Sequence, residues 1–264
     1  FYMIKRLHSI SAERTQPNSE VFSPVFYQNQ KVYSFCQKFA KNKLLLEIGC
    51  GNGLGAFRLA RLAKIVIAID KDSQIIQYNQ EKYQNKNLKF ITSDIRDYRT
   101  DYNFDLIILL QVIEHLKFPE EILKKILSMM KKNSALILST PNKLTQSFNE
   151  NPYHFREYSP GELSVMLKKY FKKVKLYGLY GNSLVNEYER IRKDKIMTIL
   201  KIDKLKLRRF IPKIALKLLF DLASYLNKRS LGSGMNELGL ISEENYKIEN
   251  KTDGSIDLIA VSEK

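Results

Sequence analysis

An apolar run that stops in a cluster of glycines, Leu44-Leu45-Leu46-Glu47-Ile48-Gly49-Cys50-Gly51-Asn52-Gly53-Leu54-Gly55, constrains this 264-residue chain more than any other stretch. A short, nearly continuous apolar run suits a parallel strand buried on both faces better than an amphipathic one. Gly49, Gly51 and Gly53 permit positive φ and let the main chain approach a ligand closely. Ala56, Phe57, Leu59, Ala60 and Leu62 continue at helical spacing. The stretch therefore reads as strand, tight loop and helix start, with backbone N–H groups offered to something polar. The dinucleotide fingerprint Gly-x-Gly-x-x-Gly is not met, because Leu54 stands where the third glycine belongs.

The chain repeats the pattern of short apolar strand followed by helix. Gln30 to Lys41, with Val32, Phe35, Cys36 and Phe39 at helical spacing, is expected to form a first helix after an irregular arm broken by Pro17 and Pro24. Strands are expected at Ile65–Ile69, Leu88–Thr92, Phe104–Leu110, Ala135–Ser139, Lys173–Leu179 and Ile256–Val261. Asp72 or Ser73 can cap a helix carrying Ile75, Ile76, Asn79 and Tyr83. Pro119 opens a helix with Ile122, Leu123, Ile126, Leu127 and Met130 on one face. Ser159-Pro160-Gly161-Glu162 is a capping box with proline at the first helical position. Strands alternating with helices imply right-handed βαβ units and an α/β, doubly wound, mostly parallel sheet of seven strands. In such sheets ligands sit beyond the carboxyl ends of the strands, where Glu47, Asp70, Asp94, Gln111 and Thr140 fall.

Length and composition set the outer bounds. The organisation expected is an N-terminal arm and first helix (1–42), a core (43–181), a basic helical insertion (182–250) and a last core strand (251–264). No apolar stretch is long enough for a transmembrane helix, and Phe1–Ile10 lacks the apolar core of a signal peptide. The start at Phe rather than Met is expected to reflect either added residues at Phe1 and Tyr2 or a cropped chain. With only Cys36 and Cys50, and Cys50 inside the glycine loop, a disulfide framework and a cysteine metal site are both excluded, which fits a reducing cytoplasm.

The net charge of +16 invites a polyanion, although lysine is abundant everywhere, as an AT-rich genome would produce. Its distribution is more informative. Between Arg192 and Arg229 there are twelve basic residues against Asp194, Asp203 and Asp221, a surplus of nine charges in one segment. Within it Ile211, Ile214, Ala215, Leu218, Leu219, Leu222 and Leu226 mark one face of a helix opened by Pro212, and Gly232 and Gly234 end the excursion. An apolar face rimmed by Lys and Arg suits an anionic membrane surface through residues 201–229, or packing on the core with a solvated back.

With these positions in hand the chain resembles the class I S-adenosylmethionine-dependent methyltransferases. The resemblance rests on Leu-Leu-Glu-Ile-Gly-Cys-Gly-Asn-Gly, Asp70, Ser93-Asp94-Ile95, Phe104-Asp-Leu-Ile107, Gln111-Val-Ile-Glu-His-Leu116 and Leu136-Ile-Leu-Ser-Thr-Pro-Asn142, in order over Lys43 to Tyr180. It implies that Glu47, Gly49, Gly51 and Gly53 hold the methionine part of S-adenosyl-L-methionine. It also implies that Asp70, with Lys71 beside it, takes the ribose hydroxyls, that Asp94 takes the adenine amine and Ile95 its ring face, and that Gln111 lines the same cofactor site. Glu13-Arg14 and Asn151-Pro-Tyr-His-Phe-Arg-Glu-Tyr158 resemble bacterial methyltransferases acting on sugars or lipid-linked glycans. That implies a small-molecule or glycan acceptor.

Methyl transfer from a sulfonium requires alignment of the acceptor, exclusion of water and, for a hydroxyl, removal of one proton. Histidine is the natural base near neutral pH, and of His8, His115 and His154 the last two fall in segments expected over the methyl donor. Each is a candidate base or a packing residue. Glu114 could orient His115, while Tyr153, Arg156 and Tyr158 suit acceptor binding, Arg156 for a phosphate or carboxylate. No Asn/Asp-Pro-Pro-Tyr or Pro-Cys motif occurs, and no cluster shows metal spacing, so metal-independent O-methylation is the expected chemistry. Two other readings stand beside it: an RNA methyltransferase using the basic segment on phosphates, and a non-catalytic binding module.

Overall fold

The computed structural model describes residues 24–146, 151, 153–202 (backbone alone from 195 to 202) and 241–264. Glu13, Arg14 and His8 in the arm, the basic segment beyond residue 202 with the helix expected from Pro212, and Gly232 and Gly234 lie outside them.

Helix α1 (Pro24–Ala40) leads into β1 (Leu44–Ile48), α2 (Leu54–Ala60), β2 (Ile65–Asp70), α3 (Ser73–Lys82) and β3 (Leu88–Thr92). The second half runs β4 (Phe104–Leu110), α4 (Pro119–Ser128), β5 (Met130–Pro141), α5 (Lys143–Gln146), α6 (Pro160–Lys168), β6 (Lys173–Gly181), α7 (Ser183–Ile202), β7 (Tyr246–Glu249) and β8 (Asp257–Glu263). The sheet order is β3-β2-β1-β4-β5-β8-β6-β7. Strands β1 to β5 are parallel, and β8 enters antiparallel between β5 and β6. The chain reverses direction beside β1, between β2 and β4, which is the crevice such sheets offer to ligands.

Apolar residues cover both faces, as buried parallel strands require. Leu45, Ala56, Leu59, Val66, Ile108 and Ile76 pack with α1, α2 and α3 on one face. Leu46, Ile67, Ile107, Leu123, Ile126 and Leu163 pack with α4 and α6 on the other.

Three expectations are corrected. The sheet has eight strands, because Tyr246–Glu249 pairs antiparallel with β6 at the edge. Helix α1 starts at Pro24, which takes the first helical turn where its missing N–H costs nothing, so it opens the helix rather than breaking the chain. Met130 belongs to β5 and not to the α4 face, since α4 stops at Ser128. Both ends of the long excursion also pack on the core: Val185, Tyr188, Ile241 and Tyr246 are buried with α1.

The local signals mostly act as their chemistry predicts. Asp72 caps α3 by accepting from the N–H groups of Gln74 and Ile75. Ser159 and Glu162 close a reciprocal capping box on α6.

Candidate active site

The glycine loop leaves β1 with φ of +75° at Gly49, +51° at Gly51 and +74° at Gly53, all in the region where a side chain is strained. A Cβ at Gly49 would stand 2.5 Å from Val112 Cγ2, and one at Gly53 would stand 2.7 Å from Asn79 Cγ. At Gly51 the same direction is open. Asn79 Nδ2 donates to the Gly51 carbonyl at 2.7 Å, clamping the loop from α3. The sequence offered a signal for this clamp, since Asn79 is a polar residue on an otherwise apolar helix face.

Gly55, one turn on, admits α1. A Cβ there would lie 1.9 Å from Tyr33 Cζ, and the Tyr33 hydroxyl donates to Glu47 Oε1 at 2.5 Å. Glu47 is buried, and its Oε2 has no hydrogen-bond partner. Burial raises its pKa to about 8 against the lowering effect of the Tyr33 hydrogen bond, with the Asp70 charge adding to the rise. Tyr33 was not foreseen.

Asp70 ends β2 and turns back onto the loop, its Oδ2 accepting from Gly51 N–H at 3.1 Å and its Oδ1 from Asp72 N–H at 3.0 Å. Each carboxylate oxygen keeps a further acceptor position. Lys71 is exposed beside it, near enough to help lower the Asp94 pKa. Asp94 is held by Arg96, which donates through Nε at 3.0 Å, a second guanidinium nitrogen at 2.7 Å and its backbone N–H at 2.9 Å. Those hydrogen bonds hold Asp94 at about 2. Ile95 packs into the core with Ile67 and Ile69.

The other half of the edge starts where β4 ends. Gln111 has φ of +53°, unusual for a side-chain-bearing residue, and is held there by its N–H on the Ser139 carbonyl at 3.0 Å. Its Nε2 donates to Asp257 Oδ2 at 2.9 Å, and Gln28 of α1 donates to the same oxygen at 2.6 Å. Burial raises Asp257 to about 7, opposed by the Gln28 hydrogen bond. Asp257 opens an apolar strand, and nothing in its neighbourhood of sequence marked it.

The left-handed turn at Gln111 throws Val112 over Gly49 and starts a single helical turn, Ile113–His115. Glu114 is 1% exposed; its Oε2 accepts from Thr140 at 3.1 Å, and its Oε1 has no partner. Burial raises its pKa to about 8. The Glu114 carbonyl accepts from the N–H of Phe155 at 2.8 Å and of Arg156 at 3.3 Å, which brings the 151–158 segment against this turn. His115 Nδ1 faces the Tyr153 carbonyl at 3.2 Å, so that nitrogen carries the proton. His154 Nδ1 pairs with Glu157 Oε1 at 3.2 Å, while its Nε2 lies 3.0 Å from Asn151 Nδ2. The two imidazoles meet edge to face with centroids 4.9 Å apart. Tyr158 is fully buried with its hydroxyl unpartnered, and burial raises it to about 12. Arg156 is exposed, its guanidinium 5.2 Å from the Tyr158 ring.

No metal spacing shows along the sequence, but the fold gathers three side chains that could hold a metal ion. Glu114, His115 and His154 offer ligand atoms within 4.8 Å of one another, although the two histidines are 39 positions apart in the chain.

A doubly wound sheet with its glycine loop after β1, an acid ending β2 and an antiparallel strand slipped in beside β5 defines a class I methyltransferase architecture. The family described as "Methyltransferase domain" matches residues 39–203, and the chain belongs to it. Its cofactor class is S-adenosyl-L-methionine. A Mycobacterium tuberculosis protein named as a probable S-adenosylmethionine-dependent methyltransferase is 29% identical over 178 residues, 65% of this chain and 64% of that one. The chain thus spans just under two thirds of that relative's length. A ubiquinone biosynthesis O-methyltransferase of Coxiella burnetii is 30% identical over 106 residues, 39% of this chain and 45% of the relative. Among solved structures, the cyclase SpnF has a TM-score of 0.59 at 14% identity, covering 100% of this chain and 91% of that one. A SAM-dependent methyltransferase of Archaeoglobus fulgidus has 0.54 at 17%, with 92% and 95% covered. Both share the fold.

The residues present fit the cofactor. The unpartnered Glu47 Oε2 and the open Cβ direction at Gly51 leave a polar cradle lined by backbone. Among the described residues, no helix is long and apolar enough to cross a membrane.

Proposed function

We propose that the protein methylates an oxygen of a small-molecule or glycan acceptor. One observation carries this reading: Val112 Cγ2 lies 2.5 Å from where a Gly49 Cβ would stand, so the chain leading into the turn of Glu114 and His115 packs directly on the glycine loop. Donor and acceptor ends of the site are therefore adjacent, which is what an in-line displacement requires.

S-adenosyl-L-methionine, when bound, supplies a methyl group on an already activated sulfonium. Glu47 and the loop of Gly49, Gly51 and Gly53 would hold its amino-acid end. Asp70 would receive the ribose hydroxyls, its carboxylate already oriented by the Gly51 and Asp72 N–H groups. Asp94, with Ile95 and Lys71 alongside, would take the adenine, and Gln111 would fix the turn under it. On the acceptor side Glu114 and His115 stand on the turn that follows β4 and His154 on the segment packed against it, where a hydroxyl acceptor must lose its proton. Tyr153 and Arg156 lie on that side, with Arg156 suited to an acidic acceptor, while Tyr158, expected at the acceptor from the sequence, is buried in the core. The resemblance of the 151–158 segment to glycan methyltransferases and the Coxiella O-methyltransferase relative both favour oxygen as the accepting atom.

Calorimetric titration with S-adenosylmethionine, S-adenosylhomocysteine and NAD tests the cofactor half. Micromolar binding of the first two and none of the third is expected. Transfer of a labelled methyl group to a panel of sugars, lipid-linked sugars and phenols tests the other half. Label appearing only on amine or RNA acceptors would overturn the oxygen assignment.

A further inference from the structure

We infer that Glu114, His115 and His154 form a binding site for one divalent cation of the zinc and cobalt type, which binds and acidifies the acceptor oxygen. Its role rests on the O-methylation reading above, but the site itself stands on geometry. Their ligand atoms lie within 4.8 Å of one another. Around a tetrahedral ion with bonds near 2.1 Å they would stand roughly 3.4 Å apart, so the cluster must contract when it takes the ion.

Three features fit a metal better than a simple base. A histidine that ligates a metal donates its other ring N–H to a carbonyl or carboxylate, which fixes its tautomer. Both histidines here are held in that way, His115 Nδ1 by the Tyr153 carbonyl and His154 Nδ1 by the Glu157 carboxylate, each at 3.2 Å. Each lone pair is thereby left on Nε2. In His154 that nitrogen meets Asn151 Nδ2 at 3.0 Å, and the ion would displace this amide. Glu114 is the second feature: one of its oxygens lies in the cluster, and its Oε1 is buried without a hydrogen-bond partner. Buried carboxylates are normally paired or bound to metals. The third is stiffness. Thr140 holds the other Glu114 oxygen, and the Glu114 carbonyl pins Phe155 and Arg156, so the two segments that bring the ligands are tied together.

Two imidazoles and one carboxylate select a borderline transition cation over Mg²⁺ or Ca²⁺, which prefer all-oxygen shells. Three protein ligands leave a fourth position, the arrangement of a catalytic rather than a structural ion. An acceptor hydroxyl bound there loses its proton to water near neutral pH, as zinc-bound water does. The oxygen lone pair then forms the O–CH₃ bond while the electron pair of the C–S bond returns to sulfur, leaving a neutral thioether.

The test uses the full chain without a histidine tag, stripped with chelator and titrated with Co²⁺ while its visible absorption is followed. Zn²⁺ and Mg²⁺ are titrated by calorimetry. Expected are one Co²⁺ per chain, tetrahedral or five-coordinate bands, displacement by Zn²⁺ and at least tenfold weaker Mg²⁺ binding. His154→Ala and His115→Ala should each weaken Co²⁺ at least thirtyfold while their circular dichroism and S-adenosylhomocysteine affinity stay at wild-type values. Glu114→Gln should do the same if it folds, and the histidine variants carry the test if it does not. Absence of saturable Co²⁺ binding, or binding that survives both histidine substitutions, would overturn the inference even if the protein methylates oxygen. Stoichiometric binding lost in both variants supports the site even if the acceptor atom proves not to be oxygen.

Discussion

Along the half of the sheet edge made by β1, β2 and β3, the groups around the cradle are main chain and its immediate neighbours: the glycine loop, Asp70 on Gly51, Asp72 on its own helix. Along the half made by β4, β5 and β8 they are side chains gathered from afar, with Glu114 meeting His154 and Gln111 meeting Asp257, 146 residues away. The first half is local in the chain and the second is assembled across it, with buried carboxylates: Glu114 and Asp257 are both raised, whereas Asp94 on the cofactor side is lowered. Glu47 is the exception that joins them, because it is buried against Tyr33 of α1 and raised like Glu114 and Asp257.

Substitutions can separate the two halves. The largest effect is expected at His115, where His115→Ala should lower turnover by about a hundredfold or more while calorimetry shows unchanged S-adenosylhomocysteine affinity. A matching loss of cofactor affinity would mean that the two halves are not separable.

Next in size is a pH effect. Asp257 titrates near 7 in the folded protein and near 4 unfolded, so the unfolded chain binds fewer protons between those values. Its contribution to stability is therefore complete below about pH 4 and is lost as pH rises through about 7. The loss is on the order of 2–4 kcal/mol, an upper range for a single buried carboxyl. Asp257→Asn should flatten that fall, measured as urea unfolding at pH 5 and pH 8. Equal pH slopes in variant and wild type would show that Asp257 stays ionised on its two glutamine partners.

Asp70→Ala should weaken S-adenosylmethionine by about 1.5–3 kcal/mol, the worth of charge-assisted hydrogen bonds, with turnover at saturating cofactor much less affected. Unchanged affinity would remove Asp70 from the ribose.

How much of this was legible depended on range along the chain. The strands, the glycine loop, the Asp72 cap and the Ser159 box are local patterns, and the structure repeats them, although β5 runs from Met130 to Pro141 where Ala135–Ser139 was expected and β6 and β8 each extend two residues further. Asn79 was half legible, as a polar residue on an apolar face that clamps Gly51. The ligand cluster was not, because spacing along the chain cannot show that the Glu114 carbonyl will capture the N–H groups of Phe155 and Arg156 and so draw His154 in. Edge strand β7 was missed for a related reason. Its four residues, Tyr-Lys-Ile-Glu, alternate too briefly to stand out, and only pairing with β6 makes them a strand.

The smallest expected effect probes a place where a candidate ligand of the cofactor half is occupied by a neighbouring side chain. Arg96 is exposed, yet it puts two guanidinium nitrogens and its backbone N–H on Asp94. Ion pairs at such exposure contribute little, because water and salt screen them and long side chains lose freedom in forming them. If Asp94 receives the adenine amine, Arg96 competes for the same oxygens, and Arg96→Ala should tighten S-adenosylmethionine by no more than about fivefold. The gain should shrink as salt rises, since the competing pair is itself screened. Weaker binding in the variant would reverse the assignment: Arg96 would then be positioning Asp94 for the ligand, and this corner of the cofactor half would be built, like the acceptor half, from a side chain held by another side chain.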